Sequence, residues 1–205
     1  MSYDAIIFDM DGTLVDWSPF NAIAWNKSFA KRGWEGKISE DDFKKYAGHT
    51  SLDIGKMVFP DIDENEANRR IIEVSHEETE TIRELAKLEN TYFKDLTFFE
   101  QLSKKFRLFI VSNCVAGYIE AFLDIYGANK YIEGFLDNRD GIGKDENIKR
   151  IVNQYGLKNP IYVGDTIMDE NAARKAGVQF VFASYGFGKS ESSLKIKDIH
   201  DLLNF

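Results

Sequence analysis

The chain has a single cysteine, Cys114, among 205 residues, so no internal disulfide can form. No apolar run approaches the ~18 residues of a membrane span, and internal repeats and low-complexity segments are absent. Positive charge is also scarce: 26 Lys and Arg stand against 34 Asp and Glu, for a formal net charge of -8. That balance argues against nucleic acid or an anionic membrane as a partner, but leaves room for a phosphorylated ligand inside a locally compensated cleft. With no secretory segment ahead of the first apolar run, a cytoplasmic location is expected. What is present is apolar bulk, 43% hydrophobic and 14% aromatic, enough for one domain with an insertion.

The run Ala5-Ile6-Ile7-Phe8 leads directly into Asp9-Met10-Asp11-Gly12-Thr13. Four apolar residues between polar ones predict a strand covered on both faces, and ligands gather at the carboxyl ends of such strands. Residues two apart on extended backbone share a side, so Asp9 and Asp11 face one small volume before Gly12 turns the chain. Two such carboxylates repel unless a cation neutralises them, and oxygen-only ligands suit Mg2+. The plainer alternative is a turn, since Asp-Gly is a frequent turn dipeptide.

Two further strands end in the same way. Leu108 to Val111 delivers Ser112-Asn113, and Ile161 to Val163 delivers Gly164-Asp165-Thr166 and then Asp169. Between them Lys144 opens a stretch in which Ile148, Ile151 and Val152 recur at helical spacing. Singly, each has a structural reading: Lys144 as a solvated lysine, Ser112 as a helix cap, and Asp165 and Asp169 as the cap and first turn of a helix over 167–176. Together, four carboxylates and one ammonium cannot bind a phosphate dianion without a divalent cation. Other phosphate and metal patterns fail. Asn138 and Asp145 break a P-loop ending at Gly143-Lys144, Glu146 breaks a dinucleotide fingerprint from Gly141, and Leu14 stands where an EF-hand needs glycine.

In order and content these four motifs resemble the haloacid dehalogenase superfamily of phosphotransferases. They stand here as Asp-Met-Asp-Gly-Thr-Leu-Val-Asp, Val-Ser-Asn, Lys144 and Gly-Asp-Thr-Ile-Met-Asp. The resemblance implies a Rossmann-like, doubly wound parallel sheet and a Mg2+-dependent phosphatase acting on a small phosphorylated metabolite. It makes Asp9 the nucleophile that forms an aspartyl phosphate and Asp11 the general acid and base. Ser112 and backbone N–H groups near Met10 and Asp11 hold phosphoryl oxygens, and Lys144 offsets negative charge. Asp9, Asp165 and the carbonyl of Asp11 hold the metal, with Asp169 on metal-bound water. Asn113 either orients phosphate or closes the loop. The second carboxylate, Asp11, separates the chain from members that act as dehalogenases without metal.

About ninety residues without a clear strand separate the first motif from the second strand, more than a parallel crossover needs. They predict an all-helical cap over 16–90, inserted into a core formed by 1–15 and 91–205. Helices are expected from a Ser18 cap to Arg32, over 39–46, over 51–58, and over 64–88, the last with Ala67, Ile71, Val74, Ile82 and Leu85 on one stripe. After the cap, 178–182 predicts a strand and 190–203 a closing helix. A helical cap at this point resembles the phosphoglycolate phosphatase and β-phosphoglucomutase subfamily, in which the cap carries specificity. Candidate specificity residues are Trp17 and Phe20 at the hinge and the loop residues His49 and Thr50. His49 is otherwise a solvated histidine, and Trp17 hinge packing. The loop at 49–51 lacks the arginine with which a mutase grips a second phosphate, which weakens the phosphomutase alternative. A third alternative is a non-catalytic phosphate-binding module. Cys114 reads as a small buried hydrophobe, because no patterned histidine activates it.

Overall fold

The computed structural model describes residues 2–205. β1 (Ala5–Phe8) is buried along its whole length, as its unbroken apolar sequence requires. It joins β2 (Arg107–Val111), β3 (Ile132–Leu136), β4 (Ile161–Gly164), β5 (Gln179–Ala183) and β6 (Lys195–Ile196) in a six-stranded parallel sheet. The order is β3-β2-β1-β4-β5-β6, so the direction of winding reverses at β1. That reversal opens the crevice at which doubly wound sheets bind ligands. The register pairs Phe8 with both Ile110 and Val163, so the strand ends lie nearly level and Asp9, Ser112 and Asp165 emerge along one edge.

The segment between β1 and β2 folds into four main helices: α1 (Ser18–Arg32), α2 (Glu40–Tyr46), α3 (Ser51–Val58) and α4 (Glu64–Leu85). They enclose a core of their own, in which Trp25, Phe29, Phe43, Phe59, Ile71 and Val74 pack together. Gly33 closes α1 in the left-handed conformation, at φ 64°. Ser18 is the first helical residue of α1 and not its cap; its N–H and hydroxyl both donate to Asp16 Oδ1. On α4 the expected stripe is buried except at Leu85, which is 38% exposed where the helix stops three residues short of Leu88. The chain rejoins the core where Thr91 bridges to Val15.

Beyond the cap, α5 (Thr97–Ser103) and α6 (Tyr118–Tyr126) cover one face of the sheet, packing Phe99 and Phe122 on Ile6, Phe8 and Ile110. On the other face, α7 (Lys144–Tyr155) and α8 (Ile167–Ala176) pack Ile148, Ile151 and Ala173 on Ile7, Phe109 and Tyr162. The closing helix expected over 190–203 does not form. Residues Lys195–Ile196 pair with β5 instead, Phe182 N–H donating to the Leu194 carbonyl, and only a 3-10 segment, Ile199–Asn204, follows under an Asp198 cap. Edge pairing satisfies backbone groups that the serine-rich start of this segment leaves without a stable helix.

Candidate active site

Every polar group expected at the carboxyl edge of the sheet lies within one cluster. Asp9 follows β1 and donates its N–H to the Val163 carbonyl at 2.9 Å, fixing it between β1 and β4. The turn then tightens, with Thr13, Leu14 and Val15 all donating to the Met10 carbonyl. Gly12 sits at φ 78°, and a Cβ there would lie 2.2 Å from Asp165 Oδ2. Glycine is required on both counts, conformation and space. From the opposite side, Gly186 approaches so closely that a Cβ would fall 2.3 Å from the Gly12 carbonyl oxygen.

Lys144, buried at the start of α7, donates to Asp9 Oδ1 at 3.0 Å and Asp169 Oδ1 at 2.6 Å. Burial alone would lower its pKa, but the charges of Asp169 and Asp9 hold it above the ordinary lysine value. Asp169 is anchored at its other oxygen by the N–H and hydroxyl of Thr166, completing a capping box on α8. Asp169 therefore lies on the first turn of α8 as expected, but Thr166, and not Asp165, is the cap. Asp165 Oδ2 accepts from the N–H groups of Phe187 and Gly188 at 2.7 and 3.2 Å, while its buried Oδ1 has no partner. Asp11 Oδ1 accepts from the Tyr118 hydroxyl at 2.8 Å, and Tyr118 in turn accepts from Asn21 on α1.

The acids are crowded and shielded from water. Burial, then Asp169, pushes the pKa of Asp9 up to about 6 against the pull of Lys144. Burial also pushes Asp11 up to about 7, opposed by the Tyr118 hydrogen bond. Asp165 is raised well above its ordinary range by burial and by Asp169 and Asp9. Carboxylate oxygens of Asp9, Asp165 and Asp169 come within 4.8 Å of one another. An all-oxygen set with an orphaned buried oxygen on Asp165 fits a hard divalent cation. The Asp11 side chain stands outside that set.

Cap and core enclose a cavity of about 60 Å³. Its core side is formed by Asp9, Asp11, Ser112, Asn113, Cys114 and Tyr118, and its cap side by Trp25, Phe43, Tyr46, His49, Ser75 and Glu78, among others. Asn113 bridges the two sides, donating Nδ2 to the Gly48 carbonyl at 2.8 Å and leaving its buried Oδ1 without a partner. Cys114 is half-buried, and burial pushes its thiol well up, so it stays protonated. Of the four cap candidates, only His49 reaches this cavity. Trp17 is wholly buried at the hinge, donating Nε1 to the Tyr126 hydroxyl at 3.0 Å, and Phe20 packs on the core cluster. Thr50 accepts from Asp53 N–H and so caps α3.

Two features were not foreseen from sequence. Gly186 and Gly188 suggest a loop near the site rim from sequence, but not that the N–H groups of Phe187 and Gly188 fix Asp165. Glu78, 3% exposed on α4, accepts from Trp25 Nε1 inside the cavity wall, and burial pushes its pKa up to about 8. It sits among the acidic residues of a helix whose others face outward, so periodicity alone hid it.

A winding reversal with buried acids at the strand ends and a helical lid above them defines a capped α/β enzyme. The chain belongs to the haloacid dehalogenase-like hydrolase family, whose model matches residues 6–183. Solved structures share the fold from end to end. A haloacid dehalogenase-like family hydrolase from Streptococcus pneumoniae matches with TM-score 0.80 at 20% identity, covering 98% of this chain and 97% of the other. A predicted phosphoglycolate phosphatase from Haemophilus somnus gives 0.78 at 20% identity over 98% and 97%. A predicted phosphatase from Clostridium acetobutylicum gives 0.78 at 19% identity over 100% and 98%. A comparison with curated proteins finds no match.

Proposed function

We propose that the protein is a Mg2+-dependent phosphatase that hydrolyses a small phosphomonoester through an aspartyl phosphate on Asp9, with residues 16–90 as the lid. The observation carrying this reading is a pair of carboxyl groups on one turn with different partners: Asp9 held by Lys144, and Asp11 held by Tyr118. The Asp9 oxygen not bonded to Lys144 attacks phosphorus, the ester P–O bond breaks, and Asp11 gives its proton to the departing alkoxide. Asp11 then removes a proton from water, whose oxygen attacks phosphorus and releases the Asp9 carboxylate. A carboxyl pKa near 7 suits a group that must both donate and accept. Lys144 keeps Asp9 oriented, and Ser112 and the backbone of the Met10 turn hold phosphoryl oxygens.

Asp9, Asp165 and Asp169 would hold Mg2+, which when bound offsets the acid excess and polarises the phosphoryl oxygens. Family membership supports hydrolysis, and the phosphatase names among its structural neighbours agree with it. A phosphomutase is disfavoured because neither Lys nor Arg lines the cavity, among the described residues, to grip a second phosphate. A module that only binds has no need of the Asp9–Lys144 arrangement. The test is release of inorganic phosphate from a panel of phosphomonoesters with Mg2+ and with chelator. Metal-dependent release that disappears in Asp9→Asn is expected; turnover by that variant would refute the aspartyl mechanism.

A further inference from the structure

The cap wall of the cavity contains one acid and no base other than His49. Glu78 is buried, forms no ion pair, and spends one oxygen on the neutral Nε1–H of Trp25. Its second oxygen accepts no hydrogen bond from the described residues, although the side chain lines the cavity. A buried carboxyl with so little compensation is costly unless something else pairs with it. Around it stand aromatic rings. Trp25 meets Phe43 edge to face at 5.5 Å and stacks with Tyr46 at 6.2 Å, and all three line the same space. Burial keeps this carboxyl protonated in the free protein, but an ammonium set against it and the aromatic rings would favour its ionised form and pair with the charge as the proton leaves.

Opposite charge has nowhere to go in this wall. A carboxylate or second phosphate on the leaving group would find no lysine or arginine among the described lining residues to receive it. Resting on the phosphatase reading above, we propose that the substrate is a small aminoalkyl phosphate, its ammonium held by the Glu78 carboxyl against the rings of Trp25, Phe43 and Tyr46. The phosphate end lies at Asp9 and the ammonium end at the cap, so one short chain spans both walls.

The experiment compares kcat/KM for 2-aminoethyl, 2-hydroxyethyl, carboxymethyl and p-nitrophenyl phosphate with Mg2+, in the wild type and in Glu78→Gln. The wild type is expected to favour the aminoethyl ester over the hydroxyethyl ester by about tenfold or more, and the variant to bring that ratio near one. A merely structural Glu78 would lower all four esters together and leave the ratio unchanged. Equal use of the amino and hydroxy esters, preference for the carboxymethyl ester, or an amine preference that survives Glu78→Gln would overturn the proposal. Release from any of the four keeps the phosphatase reading intact even then. If none is hydrolysed, the phosphatase reading falls, and calorimetric binding of 2-aminoethyl against 2-hydroxyethyl phosphate to Asp9→Asn decides the ammonium site: tighter binding of the amine upholds it, and equal or no binding rejects it.

Discussion

The two walls of the cavity are built by opposite rules. On the core side, buried strands end level with one another, and the first polar residue after each falls at one edge: Asp9 and Ser112 line the cavity, and Asp165 clusters with Asp9. Their positions are set by sheet register, and their side chains are fixed by neighbours such as Lys144, Tyr118 and the 187–188 backbone. On the cap side, the inner wall is made by helix faces that also pack the cap's own core, so Trp25 and Phe43 both hold the cap together and line the cavity. The core is therefore expected to lose chemistry without losing its fold, and the cap to loosen when Trp25 is altered.

The strongest way to break that contrast is to exchange the effects. Asp9→Asn is expected to cost about a thousandfold or more in turnover while its thermal midpoint holds or rises, because one buried negative charge is removed beside two others. Denaturant unfolding that shows a large loss of stability in this variant would contradict the division. Asp11→Asn should lower turnover by about 10²–10⁴-fold, the usual range for a general acid and base, read in the same steady-state assay. Trp25→Ala should do the reverse. Loss of a fully buried indole costs about 3–5 kcal/mol, measured by chemical unfolding, and leaves Glu78 without its donor.

Glu78 sharpens the comparison through pH. The unfolded side chain ionises near 4.5 and the folded one near 8, so between those values the native state keeps a proton that the unfolded chain has released. The contribution of Glu78 to stability is therefore full below about pH 4.5 and declines as pH rises towards about 8. Thermal midpoints of substrate-free protein across that window should show Glu78→Gln gaining on the wild type as pH rises; parallel curves would place the carboxyl in a wetter setting. The smallest effect belongs to Asn113→Ala, which removes the tie to Gly48 and should cost about 1 kcal/mol in stability, with a rise in KM larger than any fall in kcat.

Legibility in the sequence followed the same division. The core motifs were readable because a run such as Ala5 to Phe8 marks a buried strand, and because four acids and a lysine make chemical sense only when assembled. The cap helices were also readable, with α3 spanning 51–58 as expected, although Thr50, taken as a specificity candidate, is its cap. What α3 and α4 turn towards the core was not, since Glu78 differs from Glu77 by one position in an acidic helix and yet lies inside, while Glu77 pairs with Arg32 outside. β3 escaped notice because Glu133 and Gly134 interrupt its apolar pattern at one side of the sheet. At the other edge β6 is only two residues long, and its pairing with β5 is a tertiary event that local sequence does not encode.

Chemical trapping of the reaction intermediate tests the central claim most directly. Enzyme mixed with Mg2+ and a substrate identified from the ester panel, quenched in acid and mapped by peptide mass spectrometry, should carry one phosphoryl group on Asp9, absent from Asp9→Asn. A phosphoryl group on another residue, or steady phosphate release with no covalent adduct at any quench time, would contradict the account.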